Sequence, residues 1–219
     1  MSSESRLFYF SMRLLFRSIF RVVFRTRIAG RDRIPPDGGV LVVCNHISFA
    51  DPPMLAVAIP RPLDFMAMVE IFRKPVLGVL ARALGAFPVD RDSADHRAVR
   101  EVVRRLRAGR CVVIFPEAGI RLTEKSVLGG DPALRPGAGS IALLSKAPIL
   151  PVVVRDTRKP YNWRHWLPIL RGKLRRETMS VTIGRPFCLW SPHGDSRIDR
   201  RRRATDTLRE QLLKTVELD

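Results

Sequence analysis

Val40-Leu41-Val42-Val43-Cys44-Asn45-His46-Ile47-Ser48-Phe49-Ala50-Asp51 passes from an unbroken apolar run straight into a polar loop. Such a run, with no polar alternation, reads as a strand buried on both faces, the kind found in parallel sheets covered by helices. Open α/β sheets place their chemistry just beyond the carboxyl ends of these strands. Here that end carries His46 and, five residues later, Asp51. A carboxylate bonded to one imidazole nitrogen fixes the tautomer and leaves the other nitrogen free to take a proton. His46 is therefore a candidate general base and Asp51 its orienting partner. The same residues also suit a plain helix start, with Asn45 and Asp51 as caps.

Working outward, Pro35-Pro36-Asp37-Gly38-Gly39 is a turn cluster that opens the domain. Beyond the histidine loop a helix is expected from Pro52 to about Ala58, because proline suits a first helical turn. A strand over 64–69, a helix over 75–84 and a short strand over 86–90 follow. Residues 95–108 carry Val99, Val102, Val103 and Leu106 between charges, an amphipathic helix closed by Gly109. Cys111–Phe115 is a second continuous apolar strand, followed by a long polar loop over 119–136. A helix over 138–145, a strand over 149–154, an alternating edge-type strand over 179–183 and a helix over 199–217 complete the chain. Strands separated by helices imply an α/β fold with a mainly parallel central sheet flanked by helices.

The amino terminus has a different character. Arg13, Arg17, Arg21 and Arg25 recur every four residues among Leu, Ile, Val and Phe. On a helix this stripe drifts only about 40° per step, so the guanidinium groups share one broad face. Spanning a bilayer is unfavourable: three arginines near its centre cost about 8–10 kcal/mol, against about 3–7 returned by the apolar residues. A helix lying in the interface gains on both counts. The reading is a basic amphipathic membrane-interface helix over 1–30, attached to a single domain over 31–219.

The composition fits. The 219 residues include 39 Lys and Arg against 21 Asp and Glu, a net charge of +18 that draws the protein toward polyanions: anionic lipid, nucleic acid, or an acidic substrate or carrier. Cys44, Cys111 and Cys188 lie far apart, and neither they nor the four histidines show metal-ligand spacing. No metal is expected, and a reducing compartment is. Nothing matches a zinc finger or an RNA-recognition signature, so nucleic acid is the weaker partner class.

Three further blocks end strands with polar residues. Gly85-Ala86-Phe87-Pro88-Val89-Asp90-Arg91 ends in a cation whose planar fork suits a phosphate. Phe115-Pro116-Glu117-Ala118-Gly119 places a carboxylate beside a glycine, and Leu150-Pro151-Val152-Val153-Val154 opens a strand with proline after Gly137 and Gly139. Together with the His46/Asp51 block, and in this order, they resemble the lysophosphatidic acid acyltransferase family, the 1-acylglycerol-3-phosphate O-acyltransferases and their relatives. The resemblance runs from about Gly38 to Val154. The His46/Asp51 block matches the family's catalytic signature in full, and Arg91 falls where the family places a phosphate-binding arginine. The third block departs: the family usually reads Phe-Pro-Glu-Gly-Thr-Arg, whereas Ala118-Gly119-Ile120 here precede Arg121, one position late.

The resemblance implies an O-acyltransferase in which His46 takes the proton of an acceptor hydroxyl. The donor is the thioester of acyl-CoA or an acyl carrier protein, with no cofactor. The implied acceptor is 1-acyl-glycerol-3-phosphate, giving phosphatidic acid; the departure at Arg121 leaves another lysolipid, such as a lyso-aminolipid, open. Asn45, Arg91, Glu117, Gly119 and Arg121 are the implied substrate contacts. Arg13, Arg17, Arg21 and Arg25, with Trp163 and Trp166 among basic neighbours, are the expected membrane contacts, on the cytoplasmic face. Ser48 and Cys44 lie near His46 but outside any nucleophile-elbow sequence, so direct transfer is favoured over a covalent acyl-enzyme.

Overall fold

In the computed structural model the amino-terminal segment forms helix α1 (Ser3–Val23), which passes without a break into strand β1 (Phe24–Ala29). The residues described are 3–83, 85–89, 96–117, 119–121, 123–130, 134–158, 177–189 and 196–218. Next come β2 (Val40–Cys44), α2 (Asp51–Ala58), β3 (Leu63–Met68), α3 (Val69–Arg73), α4 (Pro75–Ala83) and β4 (Phe87–Val89). They are followed by α5 (His96–Arg107), β5 (Cys111–Ile114), α6 (Pro136–Ser145), β6 (Ile149–Arg155), β7 (Glu177–Ile183) and α7 (Arg197–Val216).

The strands form one seven-stranded sheet in the order β1-β7-β6-β2-β5-β3-β4. β2 lies at its centre, parallel to both β5 and β6, and every residue of β2 is buried. The only antiparallel pairing among these strands is β6 with β7. The expected α/β architecture is therefore present, with one reversal near its edge.

Strand alternation divides the core in two. Val40, Val42 and Cys44 of β2 pack with Phe65, α2 and the inward side of α1. Leu41 and Val43 pack with Val102 and Leu106 of α5, Ile141 of α6, and Leu208 and Leu212 of α7. Gly39 allows α5 to end against the entry to β2, since a Cβ there would lie 1.9 Å from the Leu106 carbonyl oxygen.

Two expectations are corrected. Residues 3–29 are not one helix attached to the domain but part of it: α1 buries Tyr9 and Phe20 in the core, and β1 joins the sheet beside β7. The strand at 179–183 is not at the edge, because β1 covers it. The four-residue arginine spacing hid β1. Phe24, Thr26 and Ile28 alternate with Arg25, Arg27 and Ala29, a period-2 pattern in which the second set is exposed.

Tyr9 fixes α1 to the sheet. Its ring is 1% exposed, and its hydroxyl accepts the Leu63 N–H at the start of β3, at 3.1 Å. Burial pushes the phenol above its usual pKa, so it remains a neutral hydroxyl. Tyr9→Phe leaves that amide buried and unpaired and should lower the unfolding free energy by about 1–3 kcal/mol in a urea titration. An unchanged midpoint shows that this hydrogen bond does not help to hold α1.

Candidate active site

The loop after β2 is anchored before it reaches the histidine. Asn45 is fully buried, and its amide reproduces a strand pairing: Nδ2 donates to the Val154 carbonyl at 3.0 Å and Oδ1 accepts the Val154 N–H at 2.8 Å. Asn45, expected at the substrate, ties the loop after β2 to β6 through both of its polar groups.

His46 follows. Its Nδ1 lies 2.8 Å from Asp51 Oδ2, and the ring stacks on Phe115 with centroids 4.1 Å apart and planes 18° apart. Asp51 is the first residue of α2 and wholly buried. Its Oδ2 also accepts the N–H groups of Ile47 at 2.8 Å and Ser48 at 2.9 Å, while Oδ1 accepts the Thr157 hydroxyl. A carboxylate so placed only accepts, so the His46 proton belongs on Nδ1 and the Nε2 lone pair is left for a substrate. The expected His46–Asp51 pair is thus brought together.

Glu117 was expected to touch substrate. It is buried after β5, and its two oxygens accept backbone N–H groups, His46 at 3.2 Å and Val127 at 2.9 Å. Burial raises its pKa above the ordinary carboxylate value, and those two amide bonds pull it part of the way back. It braces the histidine loop from beneath. Arg121 likewise turns inward: its backbone N–H donates to the His46 carbonyl at 2.8 Å, and Nε and Nη2 donate to the Glu117 carbonyl at 3.2 and 3.1 Å. Gly119 lies in this link with φ +148, a backbone conformation that glycine adopts without strain. Arg91, Trp163 and Trp166 lie outside the described residues.

Neither potential nucleophile is available. Ser48 is buried and spends its hydroxyl on the Thr157 carbonyl at 2.6 Å, while its Oγ accepts the Ala50 N–H at 2.9 Å. Cys44 is fully buried, and burial first, with Asp51 and Glu117 adding to it, holds its thiol well above the usual pKa.

An apolar pocket of about 130 Å³ opens beside the imidazole, walled by Phe49, Phe65, Ile71, Leu77, Leu80 and Phe115. A larger cleft of about 670 Å³ lies at the opposite end of the strands, between Arg61, Arg104, Arg105 and Arg110. Its cations already have partners: Arg105 and Arg110 pair with buried Asp64, Arg104 with Glu101, and Arg61 with the Pro35, Gly38 and Gly109 carbonyls. The smaller pocket is the one that adjoins the reactive groups.

Around it the surface is greasy. Phe49 is 59% exposed at the pocket, and Val76 and Val79 of the neighbouring α4 are exposed too. The outer side of α1 adds Leu7, Phe8, Phe10, Leu14, Leu15, Ile19 and Val22. Arg17 and Arg21 are exposed on α1, and Arg25 is exposed on β1. Arg13, also expected at the lipid, is half-buried, and its Nε donates to the Ala56 carbonyl at the end of α2, at 2.8 Å. The helical drift carries Arg13 about 80° from Arg21 and onto the side of Tyr9 and Phe20. Among the described residues no helix is long and apolar enough to cross a membrane.

Sequence reading missed Phe115 as the ring's stacking partner and Thr157 as a donor to Asp51. Phe115 was visible as the residue before Pro116-Glu117; Thr157 carried no motif signal.

Comparison with known proteins places the chain in a family. The family described as Acyltransferase matches residues 25–155. A 1-acyl-sn-glycerol-3-phosphate acyltransferase of Bacillus subtilis is 32% identical over 126 residues, 57% of this chain and 60% of that relative. A protein of the same name from Streptococcus pneumoniae is 26% identical over 83% of this chain and 63% of its own length. The matches thus span about 60% of these relatives. A lyso-ornithine lipid O-acyltransferase of Pseudomonas aeruginosa is 34% identical over 43% of this chain and 35% of its own length. In overall shape the chain resembles the crystal structure of the 1-acyl-sn-glycerophosphate acyltransferase PlsC from Thermotoga maritima. The TM-score is 0.63 at 20% identity, covering 98% of this chain and 84% of that one.

Glu117→Gln replaces one acceptor with an NH₂ that faces a backbone N–H. It should cost about 1–3 kcal/mol of stability in a urea titration. Wild-type stability in this variant would mean that the two amides find other acceptors and that Glu117 is no brace.

Proposed function

The chain belongs to the Acyltransferase family, and from that premise we propose that it moves a fatty acyl group from a thioester to the hydroxyl of a lysophospholipid at a membrane surface. The observation that carries this reading is the His46 ring, held at Nδ1 by Asp51 and seated at the wall of an apolar pocket. Nε2 takes the proton of the acceptor hydroxyl as its oxygen attacks the thioester carbonyl. The tetrahedral intermediate collapses, breaking the carbon–sulfur bond, and the departing thiolate takes the proton back from the imidazolium. Asp51 holds the ring throughout and stabilises its charged form. No cofactor is required, because the thioester is already activated.

The acceptor we favour is 1-acyl-glycerol-3-phosphate, giving phosphatidic acid, with Arg91 gripping its phosphate. The names of the Bacillus and Streptococcus relatives support this. A lyso-aminolipid acceptor is the second reading. It is favoured by the inward turn of Arg121, which gives its guanidinium to a carbonyl, and by the name of the Pseudomonas relative. The donor is acyl-CoA or an acyl carrier protein; the protein works on the cytoplasmic face, where such thioesters are made. Docking uses the exposed apolar side of α1 together with α4, with Arg17 and Arg21 at its border. The positive charge is assigned to lipid and donor phosphates rather than to nucleic acid.

His46→Ala should lower kcat by about 10²–10⁴-fold while the protein stays folded and vesicle-bound. Turnover within a few-fold of the parent removes His46 from the mechanism. Leu15→Glu combined with Ile19→Glu, both on the outer side of α1, should abolish co-sedimentation with phosphatidylglycerol vesicles and leave thermal unfolding unchanged. Retained sedimentation places the docking surface elsewhere.

A further inference from the structure

We propose that Thr157 is a positioning residue for acyl transfer, its hydroxyl locking the plane of the Asp51 carboxylate and, through it, the His46 ring. The proposal rests on the reading of His46 as the general base.

Asp51 Oδ2 is crowded with donors: His46 Nδ1, Ile47 N–H and Ser48 N–H, all within 2.9 Å. The donor on Oδ1 is the Thr157 hydroxyl. A carboxylate rotates about its Cβ–Cγ bond, and the three donors on Oδ2 hold only one of the two oxygens that this rotation moves. A donor on the second oxygen holds the opposite end, narrows the remaining rotation and keeps Oδ2 aimed at Nδ1. Both side chains are fully buried, so little water reaches Oδ1 to replace the hydroxyl.

The contact is built from both directions. Ser48 of the histidine loop donates its hydroxyl to the Thr157 carbonyl at 2.6 Å, and Thr157 returns its own hydroxyl to Asp51. Asp156 immediately before it adopts φ +63, in the left-handed region, and turns the chain back toward the loop as it leaves β6. Thr157 lies two residues beyond the segment that matches the family.

The test compares Thr157→Val, nearly the same shape without the hydroxyl, with Thr157→Ser, which keeps it. Two quantities are read. One is turnover of palmitoyl-CoA with 1-acyl-glycerol-3-phosphate in vesicles. The other is the tautomer of the His46 ring by nitrogen-15 NMR without substrate, its signal assigned by loss in His46→Gln. Thr157→Val should lower kcat about tenfold to a hundredfold with KM within twofold, and convert a single Nδ1–H tautomer into a mixture. Thr157→Ser should restore both. A folded Thr157→Val enzyme with parental kcat and an unmixed tautomer overturns the proposal. If Thr157→Val does not fold, Thr157→Cys carries the test: a weaker donor of similar size must lower kcat and mix the tautomer at unchanged thermal stability, and parental values for both overturn it. Should the parent enzyme turn over neither 1-acyl-glycerol-3-phosphate nor a lyso-aminolipid, with palmitoyl-CoA or a palmitoylated carrier protein, while the tautomer still responds to Thr157→Val, the acyl-transfer reading falls and the hold of Thr157 on the His46 ring stands.

Discussion

A carboxylate cut off from water is tolerated only where donors take the water's place, and Asp51 is where this fold meets that demand. Its neighbours come from distant parts of the chain. Ile47 and Ser48 are local, but Thr157 is 106 residues away and arrives only because β6 pairs beside β2. The central β6-β2-β5 arrangement is therefore a condition for a buried carboxylate at the histidine, as well as a scaffold beneath it. The parallel pairing brings the carboxyl ends of all three strands to one rim, and the loops that leave them close around Asp51.

The residues around the pair divide into those that hold and those that face the pocket. Asn45 fastens the loop to β6, and Glu117 fastens it to the segment after β5. Both are buried polar groups whose two polar atoms each bond to backbone, the arrangement that makes such groups rigid. The imidazole is left between a carboxylate that fixes its tautomer and a phenyl ring that fixes its plane. The chain thus uses motif polar residues chiefly to immobilise one side chain.

The sequence carried the period-based part of this plan well. Unbroken valine and leucine runs located β2, β5 and β6, and the five-residue step from His46 to Asp51 located the pair. Periodicity failed where two periods fit the same residues: Phe24–Ala29 continues the arginine spacing of α1 and also alternates as a strand. It failed again at α3, whose five residues are too few to display a helical repeat. The backbone-holding bonds of Asn45, Glu117 and Arg121 went unread for a different reason. A polar residue at a strand end can face substrate or reach back to the neighbouring strand, and only strand order decides. Arg121 shows how far this goes: one position late against the family pattern, it places its backbone N–H on the His46 carbonyl.

The two sides of the sheet are unlike, and strand parity connects that to the chemistry. Even-numbered residues of β2 face α1 and α2, and His46 continues that parity into a pocket walled by Phe65 and Phe115, on the side that carries α1 and α4. The odd-numbered residues face α5 and α7, which bear Arg100, Arg104 and Arg107 and the Arg200–Arg203 run. A one-residue shift of β2 would exchange the two sides and leave the imidazole under the arginine-rich helices, away from the apolar surface of α1 and α4. Apolar exposure on α1 and α4 is costly in water, and no partner covers it among the described residues. Its position beside the pocket that holds the imidazole makes sense if the acceptor chain enters from lipid, while the charged part of the donor remains at the aqueous rim.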